Sequence, residues 1–189
     1  MVAILALGAC SQPSRAPQMT VHNVMTPALA ADADLAENFA VGEVSGGRET
    51  DPLWTPQVSD GELREALERS LEHNGMRAAQ ADFARYVVSA RIVEFQRPAL
   101  GLAMRVSPLV AYRVVDRADK DVIYGEELRT SYTVAFGESV LGAERLRLAN
   151  EGAIRENIRE FLNRFREAWI ARASSDPDRS RPAAAAPSS

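Results

Sequence analysis

Three consecutive segments in the second half of the chain alternate apolar and polar side chains with the period of a β-strand. From Tyr86 to Val93, the positions Tyr86, Val88, Ala90 and Ile92 share one apolar face. In the next run Leu102, Met104, Val106, Val110, Tyr112 and Val114 fall on one parity, and Arg105, Ser107 and Arg113 on the other. The third run places Val122, Tyr124, Leu128, Tyr132, Val134 and Phe136 opposite Glu127, Arg129, Ser131 and Thr133. A single apolar parity predicts strands covered on one side only. The polar stretch Asp116 to Asp121 reads as a turn, so the three runs are expected to form an antiparallel meander. Pro108 cannot donate to a neighbouring strand and is expected at a bulge or an edge.

Helical patterning flanks this meander. Ser59-Asp60-Gly61-Glu62 has the spacing of a capping box, in which each end residue bonds the other's backbone N–H. Behind it Leu63, Ala66, Leu67, Ser70 and Leu71 share one helical face, and Asn74-Gly75 supplies a left-handed stop, predicting a helix over 60–73. A second helix is predicted over 143–172, with the stripe Leu146, Ala149, Ala153, Ile158, Phe161, Leu162, Phe165 and Trp169. Its outer face is expected to carry the pairs Glu151 with Arg155 and Glu160 with Arg164. A strand over 38–44 opens the domain. The order β-α-β-β-β-α predicts an α+β two-layer sandwich: a mostly antiparallel four-stranded sheet with two helices on one face.

The ends read differently. Residues 11–34 hold Pro13, Pro17 and Pro27 without sustained periodicity and are expected to be a tether. The Ala-, Ser- and Pro-rich segment 173–189 is expected to be disordered. That leaves one domain at 35–172. The first nine residues read as the remnant of a signal, an apolar run ending in Leu7-Gly8-Ala9 before Cys10. This resembles a bacterial lipobox, which implies acylation of Cys10 and a membrane anchor, with the tether at 10–34. No basic residue precedes the run, so the start is expected to lie further upstream.

Composition supports that picture and narrows the function. Across 189 residues, 46% are hydrophobic, enough for a core, and the net charge of −4 offers no basic field for nucleic acid. The single cysteine excludes an internal disulfide, and acylation would account for a lone thiol in an exported protein. Ser11, rather than Asp, follows Cys10, which favours the periplasmic face of the outer membrane.

The lipobox, the segment Gly61 to Leu71, and Tyr112 to Asp116 leading through the turn into Val122 to Glu126 carry a wider resemblance. Followed by the terminal helix, this layout resembles a group of Gram-negative envelope lipoproteins: the LptE-like, PqiC-like (auxiliary to lipid-transport ABC systems) and YajG-like lipoproteins. The resemblance implies a binding or assembly component of the envelope, without chemistry of its own.

The residues themselves offer no catalytic constellation. His22 and His73 lack a further ligand at metal spacing, and His73 is expected to complement a helix C-terminus. Asp116, Asp119 and Asp121 lack the glycine and closing glutamate of a calcium loop. Adjacent Glu126 and Glu127 should point to opposite faces of a strand and cannot work as a carboxylate pair. Cys10 has no histidine partner at recognisable spacing, and Gly46-Gly47 is too short to cradle a phosphate. No cofactor is expected.

The candidate binding residues are Leu53 and Trp54, in a loop before the first helix, and Arg91, Arg105, Arg113 and Arg129, on the polar parity of the strands. Leu53 and Trp54 either staple that helix to the sheet or form a partner surface. The arginines either face solvent or dock an anionic partner, an envelope protein or a lipid. The alternatives to a docking lipoprotein are a periplasmic small-ligand module, which needs concave apolar walls, and an enzyme, which needs titratable groups converging in a cleft.

Overall fold

The computed structural model describes residues 12–50, 56–97, 103–139 and 141–175. Cys10 with the signal remnant, Leu53 and Trp54, Leu102, and 176–189 of the expected tail lie outside these residues. No helix among the described residues is long and apolar enough to cross a membrane.

The meander forms as its alternation dictates. Strand β2 (Tyr86–Gln96) runs antiparallel to β3 (Met104–Asp116), and β3 antiparallel to β4 (Val122–Arg129). The third run is divided, however. Its second part is a separate strand, β5 (Tyr132–Val134), which pairs with the beginning of β3 at Met104 to Val106. The sheet therefore has five strands rather than four. Pro108 explains the division. It lies inside β3, a central strand, with β2 on one side, instead of on an edge. Its carbonyl accepts from Thr130 N–H, between β4 and β5. A strand residue directs N–H and C=O to the same side. The missing N–H of Pro108 thus faces the break between β4 and β5, where no ladder bond is lost. Ser107 Oγ donates to Thr130 O at 2.7 Å and seals that break.

Strand β1 (Phe39–Ser45) joins the other side of β2 in parallel, giving the order β1-β2-β3-β4 and a mixed sheet. The β1 to β2 crossover carries the first long helix, α3, preceded in the chain by two short ones, α1 (Ala16–Met19) and α2 (Pro27–Ala30). Helix α3 spans Asp60–His73, as its caps predict. Ser59 Oγ accepts from Glu62 N–H at 3.2 Å and Glu62 Oε2 from Ser59 N–H at 2.7 Å. Gly75, at φ 69°, makes the stop.

Helix α4 (Gly142–Ser175) lies across the same face of the sheet and extends three residues into the expected tail. Its stripe is buried apart from the half-buried Leu146, and Phe161, Phe165 and Trp169 meet Phe39, Tyr86, Tyr112 and Tyr124 of the sheet in one aromatic core. Tyr112 and Phe161 are stacked at 4.3 Å, and Tyr112 donates to Asn157 Oδ1 at 2.9 Å. The open edges of the third run are less buried than its parity suggests: Val122 is 48% exposed and Phe136 50%.

The segment expected to be a tether is part of the fold from Ser14 onward. Ala16, Met19, Val21, Val24, Met25 and Leu35 are buried in the main core. They form a strap between α3 and α4. Pro17 and Pro27 occupy first-turn positions of α1 and α2, where a missing N–H costs nothing. Several of the strap's backbone groups bond distant side chains. Asn74 Oδ1 accepts from Val24 N–H at 2.8 Å and Met25 N–H at 3.1 Å, and Ser70 Oγ accepts from Val21 N–H at 3.0 Å. On the α4 side, Arg155 and Arg166 donate to the carbonyls of Gln18 and Val24.

Glu151 anchors the beginning of the strap. It is 2% exposed and does not pair outward with Arg155 as expected. Instead Oε1 accepts from Arg15 N–H at 2.9 Å and from Arg147 at 2.7 Å. The pair Glu160–Arg164 forms on the outer face at 2.8 Å, as predicted.

Candidate functional site

Among the described residues no helix covers the other face of the sheet, and the strand register decides which of the four arginines meet there. Ser45, Arg91, Ala111 and Glu127 form one row across β1 to β4, and Ser89, Arg113 and Gly125 form the next. Arg91 and Arg113 are therefore diagonal neighbours, with Cβ atoms about 7–8 Å apart. The residues between them are small. Ser45, Ser89 and Ala111 leave a groove of about 310 Å³, lined also by Glu43 and Val115. Neither Arg91 nor Arg113 has an ion-pair partner among the described residues. Glu43, at the rim, is the single acidic residue of the lining.

The other two arginines are placed elsewhere and are already engaged. Arg129 is ion-paired with Glu94 across the sheet. That bond and one from Gln96 hold the Glu94 carboxyl below its usual pKa. Arg105 donates to Ser131 Oγ at 3.1 Å. It lies eight residues from Arg113 along β3, about 26 Å at strand rise. The sheet thus divides the predicted set into a free pair and two bonded outliers. Glu126 and Glu127 do point to opposite faces: Glu126 accepts from Tyr124 OH at 2.6 Å on the helix side.

A second concavity, which no local pattern in the sequence marks, lies at one end of the sheet. It has a volume of about 320 Å³, with Gly46, Gly47, Val58 and Ile92 among its walls. Gly46 has φ 85°, and a Cβ there would strike the carbonyl of Ile92. Two cations, Arg48 and Arg97, enter this pocket. Arg97 donates to Gln57, lies 4.8 Å over the Phe95 ring, and keeps a buried Nε–H without a hydrogen-bond partner among the described residues. Burial, and then the charge of Arg48, lower its pKa. The signal was the position of Arg97 just past a strand end. Only the docking of the α3 N-terminus beside that end turns it inward.

Among the described residues, no three His, Asp or Glu side chains gather at metal-binding distances. His22 and His73 do meet, with ring centroids 3.9 Å apart, because the strap runs past the end of α3. The strongly shifted tyrosines, Tyr112 and Tyr124, are both raised by burial in the aromatic core and stay protonated there.

No protein-family model matches the chain, and no curated protein matches it in sequence. Solved structures do. Protein XCC0632 from Xanthomonas campestris, of family DUF330, superposes with a TM-score of 0.58 at 13% identity, covering 82% of this chain and 97% of that one. A candidate lipoprotein from Caulobacter crescentus superposes with a TM-score of 0.50 at 18% identity, covering 71% of this chain and 92% of that one. The fold is thus shared over nearly the whole length of both proteins.

Proposed function

We propose that this chain is a lipoprotein acylated on Cys10, held at the periplasmic face of the outer membrane, and that it binds a partner in envelope assembly or lipid transport without chemistry of its own. The observation that carries the docking role is the Arg91–Arg113 pair. Arg91 and Arg113 are diagonal neighbours on one sheet face, and among the described residues neither is ion-paired, although Glu43 and Glu127 lie on the same face. An acidic partner, a protein patch or a phosphorylated lipid headgroup, would pair with them by accepting from both planar forks. The anchor rests on the lipobox-like Leu7-Gly8-Ala9-Cys10 and is in keeping with the Caulobacter lipoprotein that shares the fold. The LptE-like, PqiC-like and YajG-like groups remain the resemblance that suggests the pathway.

Two experiments test this. Cys10→Ala should move the protein from the membrane fraction to the soluble fraction of native host cells; unchanged sedimentation with membranes removes the anchor. Arg91→Glu combined with Arg113→Glu should weaken capture of the acidic partner from native membranes at least about tenfold, since each basic residue near an anionic surface contributes about 1 kcal/mol. The thermal midpoint should barely change, because exposed substitutions usually stay within about 0.5 kcal/mol. Capture unchanged by the double reversal would leave the groove without a role.

A second reading, a small-ligand module, has one observation in its favour: the end pocket, of mixed polar and apolar lining, into which Arg97 brings a buried Nε–H without a partner among the described residues.

A further inference from the structure

The strap follows α4 in register. Arg15 bonds Glu151, Gln18 bonds Arg155, Val24 bonds Arg166 and Asp32 accepts from Trp169 Nε1–H. Strap and helix therefore run in the same direction, so the strap's first residues lie toward the N-terminal half of α4. Cys10 is four residues before Ser14, so it lies within about 14 Å of it at full extension. From Glu151 to the start of α4 at Gly142 the helix also spans about 14 Å. An acyl chain on Cys10 would thus bring this end of the molecule to the bilayer.

The same end carries an exposed apolar knob. Phe136 is 50% exposed and Leu141 64%, and both adjoin Arg145 at the start of α4. The Arg145 guanidinium lies 4.7 Å from the Phe136 ring centre, and Arg145 N–H donates to Leu141 O at 3.0 Å. The neighbouring acids are engaged locally: Glu138 accepts from Ala135 N–H, and Glu144 from Arg147. Arg145 itself is buried, at 6% exposed, and donates to Ser139 O at 2.6 Å, so it backs the Phe136 ring from inside, while the exposed aromatic and aliphatic side chains suit the apolar boundary of a bilayer. The most exposed aromatic, Phe83 at 78%, lies at the opposite end, where Arg117 donates to the carbonyls of Ala81, Asp82 and Ala84.

We infer that Phe136 and Leu141 form a second, non-covalent contact with the bilayer, which fixes the domain with its α4 N-terminal end down and Phe83 facing away. The inference rests on acylation of Cys10. It differs from a simple tether, which would leave the domain free to tumble.

The test uses the full acylated chain, in which the thiol of Cys10 is consumed, so a new cysteine takes a thiol-reactive fluorophore alone. Leu141→Cys and Phe83→Cys are labelled on exposed sites and reconstituted in phosphatidylethanolamine/phosphatidylglycerol vesicles. Iodide should quench the label at position 141 at least threefold less than at position 83. In soluble protein carrying Cys10→Ala, without lipid, the two should quench alike. Equal quenching on vesicles overturns the orientation. Protection at position 141 in the soluble protein also overturns it, since a second copy or the chain itself would then cover the knob. Mass spectrometry of the N-terminal peptide separates the premises: an unacylated Cys10 removes both the anchor and the orientation, whereas an acylated Cys10 with equal quenching removes only the latter.

Discussion

Glu151→Ala is expected to destabilise the protein by about 3–5 kcal/mol, the usual result of removing one partner from a buried ion pair. Three donors converge on this carboxylate: the N–H and Nε of Arg15 and the guanidinium of Arg147. Arg147 is 4% exposed, and its other carboxylate, Glu144, lies nearer the surface. Without Glu151, a buried guanidinium keeps only half its counter-charge and the strap loses its first fixed point. At about 2–4 °C per kcal/mol for a chain of this size, the thermal midpoint should fall by roughly 10 °C. Hydrogen exchange at Val21 and Val24 distinguishes local release from global loss. Release of the strap should speed exchange there before the sheet is affected, because these amides bond only to Ser70 and Asn74. A midpoint within 2 °C of the parent would show that the strap is held without Glu151, by its apolar side chains and its bonds to Ser70, Asn74, Arg155 and Arg166.

Phe161→Ala should cost about 3–5 kcal/mol, the range for deleting a buried phenyl ring from a packed core. The ring is 1% exposed, stacks on Tyr112 and touches Tyr124 and Phe165. Its loss opens a cavity at the centre of the helix–sheet interface, which the surrounding rings can fill only by leaving their rotamers. Denaturant unfolding should show a lower midpoint at an unchanged slope. The consequence for the groove follows from register. Tyr112 lies between Ala111 and Arg113 on β3, so a loosened Tyr112 disturbs the spacing of Arg91 and Arg113 on the opposite face. Partner capture should therefore weaken in Phe161→Ala in proportion to the loss of fold. In the charge-reversal variant, capture fails while the fold is intact.

Much of this architecture is legible along the chain because it is periodic. The alternation of Tyr86, Val88, Ala90 and Ile92 assigns the buried face of β2, and the Ser59–Glu62 box marks the start of α3. Both signals are local: each residue's role depends on neighbours within a turn or a pleat. The strap was illegible for the opposite reason. Met19, Val21, Val24 and Met25 follow neither period, and the backbone N–H groups of Arg15, Val21, Val24 and Met25 are satisfied by Glu151, Ser70 and Asn74, some 49 to 136 residues away. Glu151 shows the same limit within a helix. Its spacing to Arg155 suggested a solvent pair, yet the strap covers that flank of α4 and turns the carboxylate inward.

The candidate site divides along the same line. The polar parity of the strands places Arg91, Arg105, Arg113 and Arg129 on one face, and parity is a property of sequence alone. Which of them are neighbours is a property of register between strands. Pairing sets Arg91 beside Arg113 across small side chains, gives Arg129 to Glu94, and leaves Arg105 far along β3. The inward turn of Arg97 likewise depends on where α3 docks. Side-chain period is written into one segment at a time, so the chain by itself determined its strands, its long helices and the face each one buries. Contacts between segments require the chain to close on itself, and only that closure decided the strap and the arginine pair.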